Sequence, residues 1–499
     1  MLKNTFRTLL LVAMFLISAP HAVAAETIED RWYVVELMGQ RSGWMNTLIE
    51  RGNKGAITTT TSLSLKISRG AMTIPIEMSG VFVETADGEP ISMSGKQKLG
   101  QAPIESTWVF SEGKSGKVQS TSVQFGNKTT TEIDPPSVEW MTPYAASQHI
   151  EQLIEAGETV IVTNTVDPSM GLVVVETTAT IKGETTIEAM GKTVPAIEWE
   201  ATTSAAPGLK SVEFVNMEGE PIRTEVDFGG IAMSIVLADK QLALSELDPA
   251  EIMVSTFVKP SKPIKAPRHT QRAEYRLSLT NGEAFELADT GSQTWSMDGD
   301  GISLLVVAEP SEFRAAQVDE VEPFLASTTI ADLNDPEIKA LIAHALLMAE
   351  DRSDMEKAEL LRRFVHSFIN EKSLAVGFAT ASEVCRTRQG DCSEHGVLLA
   401  TMLRGAGIPS RVVSGLIYAD AFAGERQIFG YHMWSQALIE VDGLPRWVDL
   451  DATLPDSTPY DATHIAVAVS DLADGEAINS MAGLAPMLGK LQIEVVSAE

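Results

Sequence analysis

A cysteine, a histidine and an aspartate follow one another in the C-terminal part of the 499-residue chain, at Cys392, His432 and Asp451. Cys392 comes directly before an apolar stretch typical of a helix, and a sulfur at a helix start meets a dipole that favours the thiolate. A thiolate is the nucleophile in covalent catalysis, and histidine is its usual base because its ordinary pKa lies near neutrality. The three residues therefore predict a Cys-His-Asp triad, with an inert buried cysteine and a structural histidine as the alternative interpretation.

The spacing leaves the identity of the carboxylate open. His432 is predicted to open a strand, and Asp442 and Gly443 are typical of the hairpin turn that follows it. The returning strand then comes level with His432 near Asp449 and Asp451. Residues two apart face the same side of a strand, so alternation does not separate these two aspartates.

Other residues near the cysteine are interpreted as structural. His395 lies one helical turn after Cys392 and is expected to be structural or to support its neighbours. Cys385 and Cys392 lack the spacing of zinc ligands, so no metal is predicted, and a disulfide between them is disfavoured. The backbone N–H of Cys392 is the expected oxyanion donor, and the sequence does not identify a second one. The predicted chemistry requires no cofactor.

The residues around the triad resemble the transglutaminase-like superfamily of papain-like cysteine enzymes. The resemblance covers residues 335–456, about a quarter of the chain. It lies in four blocks that match in order, spacing and flanks, namely residues 390–395, 403–415, 431–434 and 447–453.

The resemblance implies both a site and a reaction. The catalytic aspartate of the family precedes a small residue and a threonine, which selects Asp451 here. The implied reaction is acyl transfer or hydrolysis on peptide or protein amide bonds through a thioester, and the motifs do not distinguish hydrolysis from cross-linking. The implied fold is α+β, with a papain-like core of helices packed on an antiparallel sheet. A catalytically silent scaffold or binding protein of the cell envelope is the alternative function.

The elements that must position the triad are helices followed by strands. Helices are predicted at residues 335–349, 354–369, 382–388 and 396–404, and strands at residues 411–418, 432–441 and 446–451. Helices first and an antiparallel sheet afterwards is an α+β arrangement. We assign residues 331–499 to this catalytic domain.

The rest of the chain is predicted to be mostly β-structure. Residues 26–255 form a β-rich domain with one helix at 143–155. Segments 81–91 and 212–222 share one pattern, which indicates two related halves, a single large curved sheet with quasi-repeats, or a chance similarity of two hairpins. Residues 256–330 are assigned to a linker, rich in proline and basic residues, and a small β-module.

The composition and the N-terminal residues limit which compartment and which partners are expected. The formal net charge is −30, from 68 acidic and 38 basic residues, which excludes nucleic acid as an expected partner. Residues 1–25 are typical of a signal peptide, and no later apolar stretch is long enough to span a membrane. We therefore expect a periplasmic or secreted protein that acts on a protein or peptide substrate, with a cell-envelope component as a further candidate partner.

Overall fold

The structure, a computed structural model, describes most of the chain from residue 25 to residue 499. The exceptions are residues 53–54, 70–71, 99–102, 125–126, 190, 207–208, 218, 228–230, 348, 350, 375–377, 456, 459, 474–483 and 485–486. The predicted signal peptide falls on residues 1–25, so all of it but Ala25 lies outside the described residues.

The N-terminal region is one large antiparallel sheet of fourteen strands. Its strands and accompanying helices are β1 (Glu26–Leu37), β2 (Gln40–Arg51), β3 (Ile57–Arg69), β4 (Met72–Glu84), β5 (Pro90–Lys98), β6 (Ile104–Phe110), β7 (Val118–Gln124), β8 (Asn127–Ile133), α1 (Pro143–Glu155), β9 (Val160–Val166), β10 (Val174–Ala189), β11 (Lys192–Thr203), β12 (Lys210–Val215), β13 (Pro221–Asp227), β14 (Ala232–Ala238) and α2 (Lys240–Ala243). In the sheet, β8 to β1 are followed by β14 to β9. The first and last strands of the region therefore pair at the centre of the sheet, as Val34 does with Val236.

Local chemistry accounts for these strands. β3, for example, begins with an isoleucine and four threonines, and β-branched side chains favour extended backbone.

The two segments of similar sequence form the β4–β5 and β12–β13 hairpins. Their turns match: Gly88 N–H donates to Thr85 O and Gly219 N–H donates to Asn216 O, each at 3.0 Å. Both glycines have positive φ, 79° and 85°.

The remaining elements belong to two further sheets, a short parallel pair and four helices. They are β15 (Arg272–Leu279), β16 (Gln293–Asp298), β17 (Gly301–Val307), α3 (Pro336–Ala345), α4 (Asp354–Phe368), β18 (Glu371–Lys372), α5 (Ala381–Thr387), β19 (Gln389–Gly390), α6 (Cys392–Gly405), β20 (Ser410–Phe422), β21 (Glu425–Val441), β22 (Leu444–Leu450), β23 (His464–Ser470) and β24 (Leu491–Ala498). One sheet has the order β16-β17-β15-β24 and the other β22-β21-β20-β23. The last strand of the chain therefore pairs with β15, far from it in sequence.

The segment expected to be a linker lies against the C-terminal sheet. Val258 and Phe429 exchange backbone hydrogen bonds of 2.9 and 2.8 Å. Arg268 forms an ion pair of 2.9 Å with the buried Asp461. These contacts join residues 258–268 to the C-terminal part, while the domain boundaries drawn from the sequence stay predictions.

Helix α6 lies on the sheet that carries the histidine. The Ser435 hydroxyl of β21 donates to Gly396 O of α6 at 2.8 Å. The body of α6 is buried from Ser393 to Arg404. The C-terminal core thus packs a helix against antiparallel strands.

One strand boundary from the sequence is wrong. His432 was expected to open a strand, but β21 begins at Glu425 and His432 lies within it, opposite Gly415. The turn at Ala423 and Gly424, both with positive φ, joins β20 to β21 in a hairpin that was not predicted from the sequence, so β21 starts before His432. The next turn, at Asp442 and Gly443, is where the sequence predicted it, again with positive φ at both residues.

Candidate active site

Cys392 is the first residue of α6, and its position is fixed by a capping box. Asp391 Oδ1 accepts a hydrogen bond from the Ser393 N–H at 3.1 Å, and Glu394 Oε2 accepts one from the Asp391 N–H at 2.8 Å. The two bonds satisfy N–H groups that a helix start leaves free. The cap therefore holds the cysteine at the end of the helix where the dipole is positive.

Glu394 also ties this helix start to the preceding loop. Its Oε1 accepts from the Ala379 N–H at 2.9 Å. A Cβ at position 390 would lie 2.2 Å from Glu394 Cβ, so only glycine fits there. Burial, together with the charge of Asp391, raises the pKa of Glu394 to about 8.

The surroundings of Cys392 favour its neutral thiol. The residue is half-buried. Burial raises the pKa of the thiol well above its ordinary value, and the Asp391 carboxylate acts in the same direction. Arg69 and the backbone N–H of Met433 act in the opposite direction. The net direction is opposite to that expected from the helix dipole alone.

His432 is bound to the aspartate that the resemblance selects. His432 Nε2 lies 2.8 Å from Asp451 Oδ2. An ionised carboxylate only accepts hydrogen bonds, so Nε2 carries the proton and Nδ1 is the basic nitrogen. Within the described part of the chain, Nδ1 makes no hydrogen bond. No hydrogen bond joins Cys392 to His432 there either. The sulfur lies instead beside the backbone N–H of Met433, the next residue after His432.

Asp449, the competing carboxylate, has a different partner. Its Oδ1 accepts from Trp434 Nε1 at 2.6 Å and from Gln436 Nε2 at 2.9 Å. In Asp451, by contrast, Oδ1 accepts from the N–H and the hydroxyl of Thr453, both at 2.7 Å, which leaves Oδ2 for His432. The structure therefore brings Asp451, and not Asp449, to the histidine.

A second histidine, which sequence reasoning missed, lies behind the aspartate. His464 is completely buried. Its Nε2 lies 3.2 Å from Asp451 Oδ2, and its Nδ1 lies 2.9 Å from Asp461 O. Both partners only accept hydrogen bonds, so both nitrogens carry protons and the ring is an imidazolium.

The pKa shifts of this cluster agree with that geometry. Burial alone would lower the pKa of His464, but Asp461 and Asp451 raise it to about 9. Burial alone would raise the pKa of Asp451, but His432 and His464 hold it well below its ordinary value. Arg268, 2.9 Å from Asp461, ends this row of buried charges. Asp451 is therefore ionised at neutral pH.

His395 is held apart from this row. Its Nδ1 lies 2.6 Å from Asp391 O and donates to it. Burial lowers the pKa of His395 to about 4, so its ring is neutral. These contacts agree with the structural interpretation made from the sequence.

Only one group of side chains in the described part of the chain has the geometry to hold a metal ion. It consists of His432, Asp451 and His464, whose ligand atoms lie within 4.8 Å of one another. Both Nε2 atoms direct protons at Asp451, so neither offers a lone pair in this form. Cys385 and Cys392 are free thiols.

None of the described helices has the length and apolar character needed to cross a membrane.

Comparison with known proteins identifies the part of the chain that carries this site. Residues 343–452 match the model of the transglutaminase-like superfamily, so the chain contains a transglutaminase-like domain there. Cys392, His432 and Asp451 all fall inside the matched residues, whereas His464 and Arg268 fall outside. No curated protein matches the chain significantly.

Three of the solved structures that match the chain resemble it only distantly. A β-barrel-like protein of the DUF1849 domain from Brucella abortus is 14% identical with a TM-score of 0.32, covering 42% of this chain and 95% of its own. A putative cysteine protease from Cytophaga hutchinsonii is 12% identical with a TM-score of 0.29, covering 46% and 89%. The periplasmic domain of TgpA from Pseudomonas aeruginosa, bound to ethylmercury, is 16% identical with a TM-score of 0.26, covering 44% and 90%.

Proposed function

We propose that this protein is an exported cysteine enzyme of the transglutaminase-like type. It transfers the acyl group of a peptide or protein amide through a Cys392 thioester, to water or to an amine. The observation that carries the proposal is the 2.8 Å bond between His432 Nε2 and Asp451 Oδ2 beside a helix that begins with a cysteine. A scaffold without activity has no need for this combination.

The first half-reaction forms the thioester. His432 Nδ1 takes the thiol proton as the Cys392 sulfur attacks the amide carbonyl carbon. The oxygen that becomes negative is stabilised by the Cys392 N–H at the start of α6. The C–N bond then breaks, and the proton on His432 passes to the leaving amine.

The second half-reaction releases the acyl group. Water or an amine attacks the thioester carbonyl carbon while His432 accepts its proton. The C–S bond breaks and the proton returns to the sulfur. Water gives hydrolysis, and an amine of a second chain gives a cross-link.

Asp451 and the resting thiol have complementary roles. Because burial and Asp391 keep the Cys392 thiol neutral at rest, the base must remove the proton during the attack. Asp451 keeps the proton of His432 on Nε2, so that Nδ1 is the free base, and stabilises the imidazolium that forms. His464 acts as a positioning residue, since together with His432 it holds the pKa of Asp451 well below its ordinary value.

The substrate and compartment belong to the same proposal. We place the enzyme in the periplasm or outside the cell, because residues 1–25 have the composition of a signal peptide. Its substrate is then a protein or peptide of that compartment, including components of the cell envelope.

Incubation of the full chain with a peptide library and a primary-amine donor, read by mass spectrometry, tests the proposal. Wild-type protein and Cys385→Ala should give either cleaved peptides or amine-labelled peptides, and Cys392→Ala should give neither. Cleavage identifies a hydrolase, whereas amine incorporation identifies a transferase. Product formation by Cys392→Ala at the wild-type rate, or an inactive wild-type protein whose Cys392 is no more reactive than Cys385, would contradict the proposal. The second outcome would support a silent scaffold.

A further inference from the structure

The large N-terminal sheet reaches the helix that carries Cys392. Arg69, at the end of β3, forms an ion pair of 2.9 Å with Asp391 Oδ2. Gln124, at the end of β7, accepts a hydrogen bond of 2.7 Å from the Thr380 hydroxyl. Ile104, at the start of β6, packs against the C-terminal core. Three separate strand ends thus contact the C-terminal part, and one of them contacts the neighbour of the candidate nucleophile.

The partner of Arg69 is the residue that caps α6. Asp391 uses Oδ1 for the cap and directs Oδ2 at Arg69. The ion pair is partly shielded from water, since the two side chains are 23% and 9% exposed. Attraction between charges is stronger in such a place than on an open surface. The pair therefore has the burial needed to affect an adjacent thiol.

We propose that Arg69 is a positioning residue of the active site, acting through Asp391, so that the N-terminal sheet is coupled to the reactivity of Cys392. The inference rests on the proposed function and assigns the β-rich region a role in it. The sheet supplies the positive charge that pairs with Asp391 there.

The charges around the Cys392 thiol determine whether loss of Arg69 raises or lowers its reactivity. At the start of the same helix, the carboxyl groups of Asp391 and Glu394 favour the neutral thiol. Two groups from the neighbouring sheets favour the negative sulfur. They are the Arg69 guanidinium and the backbone N–H of Met433, the residue after His432. Loss of Arg69 leaves the Asp391 carboxylate uncompensated, which disfavours a negative sulfur. A partner that drew the sheet away from α6 would lower reactivity in the same way.

The test is the rate at which iodoacetamide alkylates Cys392 in the full chain between pH 6 and 10, measured by mass spectrometry of the Cys392 peptide. Cys385 in the same molecule is the internal reference. Arg69→Ala should slow alkylation of Cys392 at neutral pH by about three- to tenfold and move its pH dependence upward. Arg69→Lys should restore most of the rate. Arg51→Ala is the matched control, because Arg51 pairs with Glu26 beside the start of β3, at the other end of that strand from Arg69, and should change nothing.

A second variant separates a charge effect from a structural one. Asparagine is as good a helix cap as aspartate, so Asp391→Asn keeps the helix start while removing the negative charge. Added to Arg69→Ala, it should restore the wild-type rate, which a merely structural contact does not predict. Equal rates in wild type and Arg69→Ala, or no restoration in the double variant when its circular dichroism matches wild type, would overturn the inference. In either case a reactive wild-type Cys392 would leave the proposed function standing. A wild-type Cys392 no more reactive than Cys385 would instead contradict the proposed function itself.

Discussion

Each half of the molecule buries a carboxylate completely, and the two are held in opposite ways. Glu84 of the N-terminal sheet accepts hydrogen bonds from Thr142 and from the N–H groups of Tyr144 and Ala145 at the start of α1. Burial still raises the pKa of Glu84. Asp451 lies between two imidazoles, and its pKa is well below the ordinary value.

The difference follows from the partners. Neutral donors satisfy a buried carboxylate but provide no full opposite charge, so burial decides the direction of the shift at Glu84. At Asp451 the interactions with His432, and after it with His464, outweigh burial. A carboxylate that only caps a helix needs no such partner, whereas one that must support a developing imidazolium has to stay charged.

The largest expected effect sharpens this comparison at Asp451. Asp451→Asn removes the negative charge and reverses the hydrogen bond that fixes the tautomer of His432. Activity on a peptide substrate, measured as kcat/KM, should fall about 100- to 10,000-fold. Asp449→Asn is the matched control, since Asp449 bonds to Trp434 instead, and its loss of kcat/KM should be much smaller. Equal losses in the two variants would refute the assignment of Asp451.

The next effect concerns the charge behind Asp451. His464→Gln should lower the free energy of unfolding by about 3 kcal/mol below pH 6.5, since the pKa of His464 is raised to about 9 from 6.5. A raised pKa stabilises the fold below the unfolded value, so the difference from wild type should shrink as the pH rises through 9. Urea unfolding at several pH values measures it, with His149→Gln on α1 as the control. A difference that does not change with pH would show that His464 is neutral in the folded protein.

A smaller effect is expected for the buried carboxylate of the sheet. Glu84→Ala leaves donors at the start of α1 without their partner and should cost about 1–3 kcal/mol of stability. Alkylation of Cys392 should stay at the wild-type rate in the folded variant, because Glu84 binds the start of α1 and lies outside the active site. A loss of Cys392 reactivity in the folded variant would show that Glu84 affects the active site as well as α1.

The smallest effect is expected on the surface of the sheet. Lys96 and Glu105 form an ion pair of 2.8 Å with both side chains about half exposed. Such pairs contribute little because water and salt screen them. Lys96→Ala should leave the midpoint of thermal unfolding unchanged within error, and a clear drop would mean that the sheet depends on its surface charges.

Features set by neighbouring residues were readable from the sequence. Helix α1 has the predicted bounds of residues 143 and 155, and the turn at Asp442 and Gly443 forms as expected. Asp391 and Glu394 have the spacing of a capping box, and the structure forms it. In each case the determining contacts lie within a few residues along the chain.

Features set by distant residues were not readable. His464 gains its role only because β23 brings it to Asp451. Neither a sequence motif nor its spacing from Asp451 predicts that contact. The pairing of β1 with β14 and of β15 with β24 depends on how whole regions meet. Arg69 and Asp391 are far apart in the sequence, and each alone resembles an ordinary surface charge.

The most direct test of the central claim is the effect of His432→Ala on alkylation of Cys392, with Cys385 as the reference in the same protein. Burial raises the pKa of both thiols, that of Cys385 to about 11. In wild type, Cys392 should nevertheless react faster at pH 7 than Cys385, because His432 Nδ1 takes the thiol proton during the attack. His432→Ala should abolish that advantage and leave the Cys385 rate unchanged. If Cys392 reacts equally fast with and without His432, then the histidine does not serve this sulfur and the proposed site is wrong.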